Sequence, residues 1–216
     1  MRLYTYFRSS AAYRVRIALN LKGLKPEQRF VHLVKEGGQQ HKPEFRAVNP
    51  QGFVPALVDD QDHVLTQSIA IIEYLEETHP NPPLLPKDPV ARAQVRAMAL
   101  VIAADIHPLQ NTRISKYLEQ TLKVDEAARK QWTIRWITDG FTALEQLITA
   151  AGGAGKCCHG DTPTMADALL IPQMFSARRF GVDVTPFETL RRIDDHCQTL
   201  KAFQDAHPSK QPDFEA

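Results

Sequence analysis

The sequence predicts a two-part protein, a small open α/β sheet domain followed by an all-helical domain. Three observations predict it. The first 80 or so residues alternate short strand-like and helix-like segments in the order βαβα–ββα. A proline-dense stretch follows, PNPPLLPKDP at 80–89, in which five of ten residues are proline. Beyond it the apolar spacing is helical throughout.

Each element has a local reason. RLYTYF (2–7) is aromatic-rich with apolar residues at period two, the pattern of a strand. From Arg14 to Leu21, Val15, Ala18, Leu19 and Leu21 form most of one helical face. QRFVHLV (28–34) reads as a second strand. GGQQHKPEFRAVNP is a glycine-led loop with a short, proline-interrupted helix. FVPALVDD and HVLTQ form a hairpin across the polar turn Asp59–Asp62. SIAIIEYLEETHP opens on an N-cap serine, places Ile69, Ile72 and Leu75 on one face, and stops before Pro80. No helix or central strand survives the proline density of 80–89, so that stretch is the boundary. This gives domains at 1–80 and 90–216 with an 81–89 linker. Helical patterns then cover about 90–120, 125–151 and 164–180, with shorter pieces to about 206. In TMAD (164–167), Thr164 caps the third following amide and Asp167 reaches back to the cap. The tail HPSKQPDFEA is polar and expected to be loose.

Bulk properties narrow the function classes. The 216 residues carry a net charge of +1, which gives no electrostatic footprint for nucleic acid or a membrane surface. Hydrophobic residues make up 43%, enough for packed cores, and no apolar run approaches a membrane span. MRLYTYF lacks the apolar region of a signal peptide. The three cysteines, Cys157, Cys158 and Cys197, are too few and too late for a disulfide framework, and fit a reduced cytoplasm. Adjacent Cys157 and Cys158 have poor spacing for metal or redox work, so no metal site is expected.

The chemistry concentrates in the first 80 residues. Ser9 and Ser10 stand where a strand feeds a helix. A serine there caps the helix for about 1 kcal/mol. The same helix start is also an anion site, where a hydroxyl can donate to a thiolate. Gln67 and Ser68 occupy a second helix start suited to a carboxylate. Between them lies Val54–Pro55, a candidate cis peptide that would present the Val54 backbone to a ligand peptide.

These blocks, RSSAAYRVRIALNLKG, GGQQ, NPQGFVPAL and TQSIAIIEYLEE, resemble the N-terminal thioredoxin-like domain of zeta-class glutathione transferases. That class includes the maleylacetoacetate and maleylpyruvate isomerases. The resemblance continues through DIHPLQNTRI, GDTPTMADALLIPQ, ARRFGVDVTPF and HPSKQPD, and so spans the chain. It implies a glutathione transferase fold, with a βαβαββα domain and an all-α domain. It also implies glutathione as cofactor, a small dicarboxylic keto acid as substrate, and a cytoplasmic homodimer. Residue by residue, it implies that Ser10 and Ser9 meet the thiolate and that Val54, before Pro55, pairs with the cysteinyl moiety. Gln67 and Ser68 match the γ-glutamyl pair, and Gln40 a glycyl-end contact. Arg8 and the Arg178–Arg179 pair match basic positions beside an acidic substrate, with Arg8 and Arg179 also near the reacting atoms. The DIHPLQNTRI helix brings His107 and Asn111 toward the cofactor and Arg113 toward the substrate. The implied reaction is a glutathione-dependent cis–trans isomerisation. Conjugation of glutathione to small α-haloacids is the alternative, and a non-catalytic binding module is a third.

One departure bears on the chemistry. Family members often read Ser-Ser-Cys, and here the third position is Ala11. No cysteine precedes Cys157, so the first domain has no thiol of its own and no pair for thioredoxin-type redox chemistry.

Overall fold

In the computed structural model, which describes residues 1–215, the chain divides into two compact units. The first is Met1–Leu84 together with the chain from Gln198 onward; the second is Leu85–Cys197. Proline density alone assigns everything after 90 to the helical part. The closing segment instead groups with the sheet.

The first unit is built on β1 (Arg2–Thr5), β2 (Glu27–Phe30), β3 (Ala56–Val58) and β4 (Val64–Thr66), in the order β2-β1-β3-β4. β1 and β2 are parallel, with Leu3 opposite Gln28, and the other pairs are antiparallel, with Leu3 opposite Leu57. Period-two alternation gives the sheet two apolar faces. Leu3 and Leu57 belong to the core that takes the apolar sides of α1 (Ser10–Leu21) and α3 (Ser68–Thr78). Tyr4 turns to the other face and packs on Phe45 of α2 (Pro43–Val48), beside Tyr6, Phe7, Val31 and Val54. Pro43 is the first residue of α2, so it opens that helix rather than interrupting one. β1 is shorter than its aromatic run because Tyr6 and Phe7 leave the ladder to form the turn into α1.

The C-terminal return is anchored, which corrects the expectation of a loose tail. Arg16 Nε donates to Ala206 O at 3.1 Å and Asn20 Nδ2 to Ala202 O at 2.9 Å, which ties α9 (Lys201–Ala206) to α1. Gln211 is buried and donates to the Asp205 and His207 carbonyls. The Phe7 amide donates to Asp213 Oδ2 at 2.9 Å, and Phe214 packs edge-on against Phe7. A polar tail can dock this way because Asp213 Oδ2 and the Gln211 side-chain amide find partners, while Asp213 Oδ1 is buried without one among the described residues.

A buried pair holds the start of the proline-dense stretch. Lys22 Nζ lies 2.9 Å from Glu76 Oε2 and also donates to the carbonyls of His79 and Pro82. The Leu84 amide donates to the same Glu76 oxygen. The end of α1, the end of α3 and residues 79–84 thus meet at one buried carboxylate.

The second unit is helical. α4 (Pro89–Leu100) passes into a π-helical turn (Val101–Ile106), and α5 (Thr112–Gln120), α6 (Glu126–Ala150), α7 (Met165–Arg179) and α8 (Glu188–Cys197) follow. The single 90–120 helical pattern is therefore broken at 107–111. The break is fixed from outside: Trp132 Nε1 donates to Leu109 O at 2.8 Å, and Gln110 Nε2 to Gln173 Oε1 at 2.7 Å. Gly140 of α6 lets Ile106 approach so closely that an added Cβ would lie 2.3 Å from Ile106 Cγ1. α7 is buried over most of its length and starts at the TMAD cap. Asp167 accepts from the Thr164 amide at 2.7 Å, from Thr164 Oγ1 at 2.8 Å and from the Cys158 amide at 2.7 Å.

Candidate functional site

The first unit brings two helix starts to the same core. Ser9 is the N-cap of α1, and its Oγ accepts from the Ala12 amide at 3.2 Å. Ser10 is the first helical residue, so the two serines divide the work between a cap and a hydroxyl at the dipole's positive end. The turn that delivers them is braced. Arg16, 3% exposed, donates to Thr5 Oγ1, Tyr6 O and Phe7 O at 3.0–3.2 Å. Burial pulls its guanidinium down to about 10, against Tyr13 and Asp213, which leaves it charged at neutral pH. Arg8 is exposed, with its guanidinium 5.1 Å from the Phe7 ring.

The start of α3 differs from its sequence reading. Ser68 is the first helical residue, and Gln67 is the N-cap without a side-chain cap bond. The Gln67 side chain instead donates to Gln51 Oε1 at 2.9 Å. Its backbone has φ +68°, a left-handed conformation that costs a non-glycine residue about 1–3 kcal/mol. Ser68 Oγ accepts from Arg14 Nη1 at 3.2 Å, which joins α1 to α3 at the helix start.

Val54–Pro55 is cis, in agreement with the expectation for that dipeptide between two anion-ready helix starts. The turn before it is fixed by buried Asn49, which accepts from the Gln51 amide and donates to Phe53 O at 2.7 Å. Gly52 has φ +66°, and a Cβ there would meet Gln40 O at 2.9 Å, so only glycine fits. Val54 is buried, and among the described residues its backbone makes no backbone–backbone hydrogen bond. Gln40 Nε2 donates to Leu33 O at 3.2 Å, and its buried Oε1 has no partner among the described residues.

The remaining predicted residues lie in the second unit. Asn111 caps α5, accepting from the Arg113 amide at 3.0 Å. His107 belongs to the turn after the π-helix, so these three residues do not share one continuous helix. Arg178 pairs with buried Asp194 at 2.5 Å, a tether from α7 to α8. Arg179 is exposed, its guanidinium 4.8 Å from the Phe180 ring. A cavity of about 320 Å³ in this unit is lined by Ala104, Asp105, Ile106, Leu109, Trp136, Asp139 and Gly140, and by none of the predicted residues.

Cys157, Asp167 and Cys197 converge, their ligand atoms within 4.8 Å of one another. Asp167 already accepts from three donors, the Thr164 amide and hydroxyl of the α7 cap and the Cys158 amide. The Cys197 thiol is pushed up by its contact with Cys157 and by burial, and the Cys158 thiol by burial and Asp167. Raised thiols are poor nucleophiles and poor ligands.

Comparison with known proteins fits this geometry. The sequence family described as "Glutathione S-transferase, N-terminal domain" matches residues 3–83. A maleylpyruvate isomerase of Ralstonia sp is 50% identical over 213 residues, 99% of each chain. A maleylacetoacetate isomerase of Pseudomonas aeruginosa is 46% identical over the full length of both. The chain belongs to the zeta-class glutathione transferase family. Among solved members, a holo maleylpyruvate isomerase of the zeta class superposes with a TM-score of 0.95 at 49% identity, covering 100% of both chains. A maleylacetoacetate isomerase of Methylobacterium extorquens AM1 with bound malonate and glutathione gives 0.95 at 41% identity, again over the whole of both chains. A zeta-class transferase needs a peptide-sized anionic cofactor site. The residues fit one: two helix starts with hydroxyls, a cis proline, and a buried guanidinium with orphan nitrogens beside Ser68.

Sequence reasoning missed Arg14, Arg16, Asp213 and the Lys22–Glu76 pair. The first two were visible as basic residues inside an apolar run, which is a signal for buried, committed charge.

Proposed function

We propose that this chain is a glutathione-dependent cis–trans isomerase of cis-enoic keto diacids, of the maleylacetoacetate or maleylpyruvate kind. The observation that carries the reading is the pair of hydroxyl-bearing helix starts, Ser9–Ser10 and Gln67–Ser68, flanking cis Val54–Pro55 within one unit. Glutathione, when bound, supplies the sulfur nucleophile that adds to the activated double bond and leaves after rotation about the resulting single bond. Every other role falls to the chain. Ser10 donates its hydroxyl to the sulfur, and the α1 dipole favours the anionic form. Each pH unit by which that thiol's ionisation is lowered corresponds to about 1.4 kcal/mol of preference for the anion. The Val54 backbone pairs with the cysteinyl unit, Gln67 and Ser68 hold the γ-glutamyl end, and Gln40 approaches the glycyl end. The resemblance also assigns His107 and Asn111 to the cofactor.

By the resemblance, Arg8, Arg113 and Arg179 are the cations for the acidic ends of the substrate, and Arg8 and Arg179 also serve the enolate charge that develops in the reaction. The resemblance adds Arg178 to the substrate cations, and in the structure it is paired with Asp194. With Ala11 in place of the usual cysteine, no thiol of the chain competes at this helix start. We further propose a cytoplasmic homodimer. Support for both comes from the family resemblance, and for the cytoplasm also from three cysteines that form no disulfide. Light scattering on the purified protein tests the dimer.

The deciding experiment mixes pure protein with maleylacetoacetate and, separately, maleylpyruvate, with and without glutathione. Turnover that requires glutathione yet leaves its concentration unchanged is the expected result. Glutathione-independent turnover, stoichiometric consumption of glutathione, or no turnover on either substrate overturns the reading. The ratio of the two kcat/KM values assigns the preferred substrate.

A further inference from the structure

Arg14 lies in the second turn of α1 and is 2% exposed. Its Nη1 donates to Ser68 Oγ at 3.2 Å. Its Nε and Nη2 are buried and have no hydrogen-bond partner among the described residues. Burial alone pulls its guanidinium down to about 10, so it keeps its charge at neutral pH. A buried cation with no anion and two unmade hydrogen bonds is among the costliest arrangements in a protein interior.

Arg16, two residues further along the same helix and equally buried, shows that this cost is not imposed by the position. It donates to four acceptors: Thr5 Oγ1, Tyr6 O, Phe7 O and Ala206 O. Arg14 is therefore the exception in α1, and its one bond leads to the start of α3. There, the first amides of an 11-residue helix lack intrahelical partners and the dipole is positive. Ser68 Oγ accepts from Arg14, which leaves its own O–H to donate outward.

We propose that Arg14 is the buried counter-charge for the ligand carboxylate held at Ser68, the α-carboxylate of the γ-glutamyl residue of glutathione. It acts through the Ser68 hydroxyl and is a positioning residue that sets affinity for that one end of the cofactor. The inference rests on the glutathione reading above and adds to it: the anion missing from the protein is the ligand's own. Without ligand the guanidinium is a burden on the fold, and with ligand it is neutralised.

The test uses Arg14→Met, which keeps length and removes charge, and Arg14→Lys, which keeps charge. Calorimetry measures binding of glutathione and of cysteinylglycine, the same thiol without the γ-glutamyl residue, and urea unfolding is followed without ligand. In Arg14→Met the glutathione Kd rises about tenfold or more while the cysteinylglycine Kd does not move, and the ligand-free urea midpoint stays level or rises. Arg14→Lys keeps part of the glutathione affinity.

An unchanged glutathione Kd, an equal loss for both thiols, or a fall in the ligand-free midpoint of Arg14→Met overturns the proposal. If Arg14→Met does not fold, that is itself such a fall. The Arg14→Lys and Ser68→Ala variants then give a second, independent test, because additive effects of the two on the glutathione Kd also overturn it. A native protein that binds no glutathione defeats the functional reading itself. That result is separate from native binding that survives loss of Arg14.

Discussion

Replacing Glu76 by Ala removes the carboxylate at which α1, α3 and residues 79–84 meet. Lys22 Nζ, on a side chain with no exposure, loses its carboxylate partner and keeps the His79 and Pro82 carbonyls. The Leu84 amide loses the acceptor it has in Glu76. Breaking a buried pair from one side costs about 3–5 kcal/mol, most of it the stranded charge. The orphaned amide adds about 1–3 kcal/mol, part of which rearrangement recovers. We expect a net loss of about 4 kcal/mol, a large share of the roughly 5–15 kcal/mol that holds a typical domain. The assay is urea unfolding with hydrogen exchange on α1 and α3, so that the change is assigned to the first unit. Lys22→Met combined with Glu76→Leu removes both charges and should restore most of the loss, since an apolar pair of similar volume replaces a buried ion pair at little cost. A loss below about 1 kcal/mol for Glu76→Ala, the range of exposed pairs, would refute the reasoning, as would strict additivity in the double variant.

Ser9→Ala and Ser10→Ala should separate: the first loses about 1 kcal/mol of stability through the α1 cap, and the second loses about ten- to a hundredfold in kcat with near-native stability, as a donor to the sulfur is removed; steady-state kinetics beside thermal unfolding reads both. Gly140→Ala puts a Cβ 2.3 Å from Ile106 Cγ1, so overpacking of about 1–3 kcal/mol should exceed the roughly 1 kcal/mol gained in helix propensity, and a lower urea midpoint checks it. Asp213→Ala strips the acceptor from the Phe7 amide and should speed hydrogen exchange across residues 5–10, about tenfold for each 1.4 kcal/mol lost. Burial, with Arg16 and Lys210 behind it, lowers the His207 ring below its ordinary value. The unfolded chain then binds the extra proton, so this contribution to stability is present above about pH 6.5 and is lost as pH falls below it; unfolding midpoints at pH 7.5 and 5.5 should differ less in His207→Gln.

The sequence alone determined what is local. Strand alternation, helical spacing and proline density placed the order of the elements in the first 80 residues and the stop at Pro80, because these depend on neighbours within one or two turns, whereas the strand expected over 28–34 ends at Phe30. The TMAD cap was legible for the same reason, its partners being three residues apart. The paired serines, the cis proline and the Gln67–Ser68 start were legible as residue types at element ends, and resemblance to a family gave them roles.

The tertiary structure decided what depends on distant partners. The helix predicted over 90–120 breaks at 107–111 because Gly140, Trp132 and Gln173 impose it from α6 and α7. The polar tail docks because Asp213 meets an amide 206 residues away. Arg178 is held because Asp194 lies buried beside it. Arg14 becomes a buried charge at the α3 start only when the fold brings Ser68, 54 residues on, within 3.2 Å. Periodicity reports which face of a helix is apolar, whereas the partner of a buried charge is chosen by packing across the chain.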